Sequence, residues 1–225
     1  MPIIRSNRLL VAAAGFFIAF GSTLLTVEAQ DRPFIPDMSV AGVKLGDRTS
    51  AKAFLEGYQP RTDGGQPTYY FYNSHVTTVM KLTAASFDDP YFVTEIEVFN
   101  VGPEYQNRHF VLEKVGHFVT ESGIFVGFRQ SGRGLAVALI VGVPNIARDN
   151  MTGPKDVVNK KGEPNERVKN GAEDIFDYRL DSIGLPDGKT NYGYSAHYRF
   201  YDKKLNRFSM KIEPLNKPDI AKAKR

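Results

Sequence analysis

Residues 152–164 read TGPKDVVNKKGEP and predict a short helix with both of its ends marked. Thr152 is a suitable N-cap, and Pro154 falls in the first turn, where a missing amide proton costs nothing. Gly162 can end the helix in a left-handed conformation, and Pro164 prevents the helix from resuming. This stretch therefore predicts a helix that starts and stops within about a dozen residues.

Three strand-like runs follow this helix, at 175–180, 192–201 and 205–212. In the middle run, apolar or aromatic residues occupy every second position, the period of a strand with one buried face. These residues are Tyr192, Tyr194, Ala196, Tyr198 and Phe200. The polar triplet 202–204 (DKK) predicts a turn into the last strand.

A similar order of elements precedes this region. Residues 40–46 predict a short strand, Asp47 or Thr49 can cap a helix over 51–55, and Gly57 can terminate it. Three further runs, at 69–73, 76–82 and 92–98, predict strands.

These elements together predict an α+β fold of two tandem modules. Each module is a short helix followed by an antiparallel meander of three to four strands. The first module is predicted at 38–107 and the second at 152–214, with a connecting segment at 108–151 that contains strands such as 135–143. The likeness between 42–46 (GVKLG) and 123–127 (GIFVG) favours a repeat.

The first 29 residues predict a signal peptide. Arg5 and Arg8 precede an uncharged apolar run over 9–27, and Val27 and Ala29 provide small residues at −3 and −1 of a cleavage site. Residues 30–37 then predict a linker, and 215–225 a basic tail. An uncleaved membrane anchor and a mitochondrial presequence are the alternatives, and the lack of amphipathic character counts against the second.

The amino-acid composition limits the classes of partner and of chemical site that we expect. Without residues 1–29 the chain keeps 27 basic and 24 acidic residues, and a net charge of +3 gives no indication of nucleic-acid binding. The absence of cysteine excludes a cysteine nucleophile, a thiolate metal site and a lipidated N-terminal cysteine. We expect a periplasmic or secreted protein with no stable membrane insertion once the signal is cleaved.

The stretch 152–164, together with 176–179 (FDYR) and 198–200 (YRF), resembles the helix, turn and aromatic strands of the BamE (SmpA/OmlA) family. That family shares a helix-then-meander module with the β-lactamase-inhibitory proteins, which carry it in tandem. The resemblance is clearest over 152–212. It implies a sheet that presents a concave face to another protein, although this chain lacks the lipidated cysteine of the one group and the disulfides of the other.

No stretch predicts a catalytic or metal site. The four histidines, His75, His109, His117 and His197, have neither the HExxH pattern nor the spacing of three to five residues typical of zinc ligands. Residues 193–197 (GYSAH) are similar to a nucleophile elbow but end in histidine and lie within an alternating strand. We therefore expect no catalytic residue, no metal and no cofactor.

The predicted contact surface combines aromatic and basic residues of the last two strands: Tyr198, Arg199, Tyr201 and Arg207. Tyrosine and arginine are enriched among the residues that dominate binding energies. The sequence thus predicts a non-enzymatic module that binds another envelope or extracellular protein, as an assembly factor or an inhibitor does. The alternatives are a periplasmic hydrolase whose site forms only in the fold, and a carrier of a small apolar ligand.

Overall fold

The computed structural model describes residues 33–73, 78–101, 118–126, 152–185, 188 and 191–215. The chain divides into two units, Met1–Gln30 and Asp31–Arg225. The predicted signal peptide, the run 135–143 and the tail from 216 onwards lie outside the described residues.

Two helices of eight residues each are described, α1 (Arg48–Leu55) and α2 (Pro154–Lys161). Asp47 caps α1 by accepting a hydrogen bond from the Thr49 amide at 3.0 Å. In α2 the N-cap is Gly153, whereas Thr152 was predicted. The Thr152 hydroxyl instead accepts a hydrogen bond from the Phe125 amide, so it ties the start of α2 to a preceding segment.

The described strands are β1 (Ser39–Val40), β2 (Val43–Lys44), β3 (Arg61–Asp63), β4 (Gln66–Asn73), β5 (Thr78–Ser86), β6 (Asp89–Asn100), β7 (Glu166–Asn170), β8 (Glu173–Gly184), β9 (Asn191–Tyr201) and β10 (Lys204–Pro214). β1 and β2 form a two-stranded sheet. The other eight form one antiparallel sheet in the order β3-β4-β5-β6-β10-β9-β8-β7.

The predicted fold class, two helix-plus-meander modules in tandem, is wrong. The structure is dominated by strands, and its main feature is a single eight-stranded sheet. β6 pairs with β10 from Arg207 opposite Phe99 to Lys211 opposite Glu95. This pairing joins strands that are more than 100 residues apart in sequence, and the sheet is therefore continuous across the boundary that the prediction drew.

One face of the sheet, called the inner face, carries the core. α1 packs there through Phe54, whose ring meets Phe71 edge-on at 5.0 Å. α2 contributes the buried Val157, and the Tyr178 hydroxyl donates to the carbonyl of Gly162 at its end. Both short helices therefore serve to cover the inner face, since helices of two turns are not stable alone.

A buried ion pair fixes the segment before β1. The Lys161 Nζ lies 2.9 Å from Asp37 Oδ2, and the two side chains are 2% and 0% exposed. The same ammonium donates to the carbonyl of Ile35, and Asp37 also accepts from the amide and hydroxyl of Ser122. The Tyr194 hydroxyl donates to the Asp37 carbonyl at 2.7 Å. The pair thus joins α2, β9 and two segments that are distant in sequence.

Candidate binding surface

The side chains that point away from the core on β7–β10 form the outer face of this half of the sheet. Successive strand residues point to opposite faces, so residues 195, 197, 199 and 201 of β9 lie on the outer face. The register places Arg199 opposite Arg207 of β10 and opposite Ile175 of β8. Ile175 in turn lies opposite Val168 of β7. A row of four side chains therefore crosses this part of the sheet.

Tyr198 lies on the inner face, away from the other three predicted contact residues. It is fully buried, with its ring centroid 4.8 Å from that of Phe208 and 5.4 Å from that of Tyr178. The alternation of strand residues explains the separation, because Tyr198 and Arg199 are neighbours in β9 and must point to opposite faces. Tyr198 thus contributes to the core, and we do not include it in the candidate surface.

Arg199 and Arg207 are half-exposed and each is oriented by a carboxylate. Arg199 Nε lies 3.5 Å from Glu173, and 46% of its side chain is exposed. Arg207 donates to Glu97, and its guanidinium lies 5.5 Å from the centre of the Phe99 ring. A guanidinium has five N–H donors in a fixed plane, so one carboxylate leaves further donors at the exposed end.

Tyr201 and Val168 add apolar area to the same face. Tyr201 is 55% exposed at the end of β9, and Val168 is 44% exposed in β7. We call the set Val168, Ile175, Arg199, Tyr201 and Arg207 the Arg–Tyr surface. Val168 and Ile175 were not predicted for this surface. Val168 lies in the polar strand β7, which lacks the alternation that indicates a strand, and the neighbours of Ile175 on this face depend on the register of β8.

A histidine–carboxylate pair lies beside the Arg–Tyr surface. His197 Nδ1 is 2.5 Å from Asp177 Oδ1, and Arg179 lies 3.9 Å from the other oxygen of Asp177. Ser195 shares the outer face two residues away, and Ser209 lies opposite His197 in the register. Asp177 can orient the imidazole, which is the arrangement that a serine nucleophile would need. This pair was not predicted from the sequence, since 20 residues separate its members.

This pair stands on an open strand surface. The His197 side chain is 45% exposed. Within the ladder of a central strand the backbone amides are hydrogen-bonded to neighbouring strands, so they are not available to stabilise an oxyanion. Within the described part of the chain no group of three metal-ligating side chains occurs.

A surface pocket of about 230 Å³ lies at the other end of the sheet. Its lining includes Tyr58, Arg61 and residues 68–71 of β4, and no histidine, aspartate or glutamate. Its volume falls below the range of about 300–1,000 Å³ that is usual for small-molecule sites. This pocket therefore supports neither the hydrolase nor the carrier alternative.

No helix in the described ranges has both the length and the apolar character needed to cross a membrane. No family model, no curated protein and no solved structure matches the chain.

Proposed function

We propose that the protein is an exported, non-enzymatic module that binds another protein of the cell envelope or extracellular space through its Arg–Tyr surface. The observation that carries this proposal is the exposed row in which Arg199 and Arg207 lie opposite each other, next to a tyrosine that is more than half exposed. Exposed arginine and tyrosine side chains on one rigid face are typical of binding hot spots.

The surface is organised before any partner binds. Strand β9 is hydrogen-bonded on both sides, to β8 and to β10. Glu173 and Glu97 hold the two guanidinium groups in place. A partner therefore loses less affinity to the ordering of side chains and backbone than it would on a flexible loop.

A hydrolase is the second candidate, and the His197–Asp177 pair is the observation that favours it. It predicts that H197A abolishes turnover of ester or peptide substrates while the fold is retained. We place it second because the pair stands on an exposed strand face, whereas catalytic groups usually lie in a cleft that excludes water.

The binding proposal is tested by crosslinking the purified protein to the envelope fraction of its host and identifying captured proteins by mass spectrometry. The variant R199E/Y201S removes one cation and one exposed ring from the Arg–Tyr surface. K155E/F87S is its matched control, because Lys155 on α2 and Phe87 in the turn after β5 are both exposed and lie elsewhere. We expect one reproducible partner that R199E/Y201S loses and K155E/F87S retains.

Arg207 is tested separately by the substitution R207K. Glu97 is nearly buried, and a charge reversal at position 207 would place a second carboxylate beside it. A loss of capture could then result from a loss of stability instead of a loss of binding. Lysine keeps the ion pair but lacks the planar fork of donors. We expect R207K to retain the fold and to weaken capture.

A further inference from the structure

Strand β7 is one of the two ends of the eight-stranded sheet. It pairs with β8 alone among the described strands, and all five of its residues are exposed. An edge strand of this kind presents unpaired backbone donors and acceptors to which another extended chain can add.

The register shows which backbone groups of β7 point outward. The Arg179 amide of β8 donates to Asn165 Oδ1 at 2.6 Å, so it points to the β7 side. By alternation, residues 173, 175 and 177 of β8 also point to β7, and they lie opposite 170, 168 and 166. The remaining β7 residues, Arg167 and Lys169, therefore direct their N–H and C=O groups to the open edge.

Two of the exposed side chains at this edge, Arg167 and Lys169, are cationic. Arg167 and Lys169 project on the inner-face side, where Arg167 is held by Asp174 at 3.0 Å and lies over the Phe176 ring at 4.8 Å. Asp174 lies opposite Lys169 in the register and is nearly buried, so the cations form the exposed layer. Val168 projects on the outer face, next to Ile175 of the Arg–Tyr surface.

We propose that β7 takes up an extended acidic segment of the partner protein as a ninth strand. Its acidic side chains lie opposite Arg167 and Lys169, and an apolar side chain between them packs against Val168. This inference rests on the proposed function and specifies how the partner is held, because the added strand continues the outer face that carries the Arg–Tyr surface.

A second copy of this chain fits the edge less well. Antiparallel pairing of two β7 strands about Val168 would place Arg167 of each copy opposite Lys169 of the other. Like charges directly opposite each other destabilise a strand pair. Charge complementarity therefore favours an acidic segment over self-association.

The test is a titration of the isotope-labelled protein with the synthetic peptide acetyl-Thr-Glu-Val-Glu-Lys-amide, followed by amide chemical shifts and hydrogen exchange. In antiparallel pairing its glutamates lie opposite Lys169 and Arg167. A second peptide carries N-methyl groups on both glutamates, so that it keeps every charge but loses two backbone donors. We expect protection of the Arg167 and Lys169 amides, and about tenfold weaker binding of the methylated peptide.

Two variants of one position test the same contact from the protein side. K169P removes an amide that points to the open edge, where proline is tolerated in strands. K169Q removes the charge and keeps the amide. We expect K169P to weaken peptide binding more than K169Q does, with both thermal midpoints close to that of the unaltered protein. If K169P unfolds the protein, the N-methylated peptide decides alone.

Equal binding of the two peptides, shifts away from β7, or no binding at all would overturn the inference. A concentration-dependent dimer of the free protein that K169P dissociates would also overturn the inference, since a second copy of the chain would then pair with the β7 edge. Failure of the proposed function is seen separately in the capture experiment. If capture depends on Arg199 and Tyr201 but is equal in K169P and K169Q, strand addition at β7 is contradicted, and binding through the Arg–Tyr surface is not.

Discussion

Replacing Lys161 by methionine should lower the free energy of unfolding by about 3–5 kcal/mol, because it leaves the carboxylate of Asp37 buried without its cation. Asp37 is fully buried, and among the described residues it then keeps its hydrogen bonds from the amide and hydroxyl of Ser122. The cost falls towards the lower end of this range, since those two hydrogen bonds satisfy part of the carboxylate. D37N should cost a similar amount, because the buried ammonium of Lys161 then loses its counter-charge.

The double variant D37N/K161M separates the ion pair from the packing around it. With both charges removed, no buried ion is left unpaired, and we expect a total loss of about 2 kcal/mol or less. With single losses of about 3 kcal/mol each, the coupling energy in the cycle is then about 4 kcal/mol or more. K160M is the matched control: the neighbouring Lys160 is exposed and donates to the Ser122 and Gly123 carbonyls, so its loss should cost less than about 1 kcal/mol.

Urea unfolding followed by far-UV circular dichroism measures these four variants, since the chain has no tryptophan to report by fluorescence. Additive losses in D37N and K161M, or a K161M loss no larger than that of K160M, would contradict this prediction. Either result would mean that Asp37 and Lys161 do not stabilise each other in the folded protein.

Three further predictions concern the core. Y198F should leave the free energy of unfolding unchanged or raise it by about 1 kcal/mol, because the buried Tyr198 hydroxyl has no hydrogen-bond partner within the described structure. Y194F loses the hydrogen bond to the Asp37 carbonyl and should cost about 1 kcal/mol in urea unfolding, so a larger loss in Y198F than in Y194F would contradict this prediction. G46A should cost roughly 2–4 kcal/mol, since Gly46 has φ +70° and a Cβ there would lie 2.6 Å from Leu185 Cδ1. G65A is the control and should cost less, because Gly65 has φ +82° but a Cβ there would meet no atom within 4 Å. Equal losses in the two variants would mean that the contact with Leu185 adds nothing. Burial raises the pKa of Tyr194 and of Tyr198 well above the ordinary value of 10.0, so the unfolded chain loses these protons first as the pH rises. The free energy of unfolding should therefore fall above about pH 10, by up to roughly 2.7 kcal/mol per pH unit for the two groups. Urea midpoints between pH 9 and 11 measure this fall, which should be smaller in Y194F/Y198F.

Local elements were predictable wherever a physical signal was local. The alternating aromatics of 192–201 predicted β9, which spans Asn191–Tyr201, and Pro154 and Gly162 marked the two ends of α2. A turn between β9 and β10 was predicted at 202–204, and it occupies 202–203, since Lys204 already belongs to β10. In each case the pattern and its cause lie within a few residues of each other.

The global arrangement was not predictable, because it depends on pairings between distant segments. The alternation of apolar and polar residues indicates that β6 and β10 are strands, but it does not show that the two strands pair. Their pairing is what joins the strands into one sheet. Likewise Lys161 reads as a solvated residue at a helix end until the fold brings Asp37 to it across 124 positions of sequence. The candidate surface shows the same limit: the interleaved aromatic and basic residues predicted Arg199, Tyr201 and Arg207 together, but only the register places Val168 in line with Arg199 and Arg207.

Crosslinking capture decides whether the protein binds through the Arg–Tyr surface, because it compares R199E/Y201S with K155E/F87S in the same envelope fraction. We expect one reproducible partner protein that is lost with R199E/Y201S and retained with K155E/F87S, while both variants keep the thermal midpoint of the unaltered protein. Capture of the same partner by both variants, or no partner for the unaltered protein, would contradict binding through the Arg–Tyr surface.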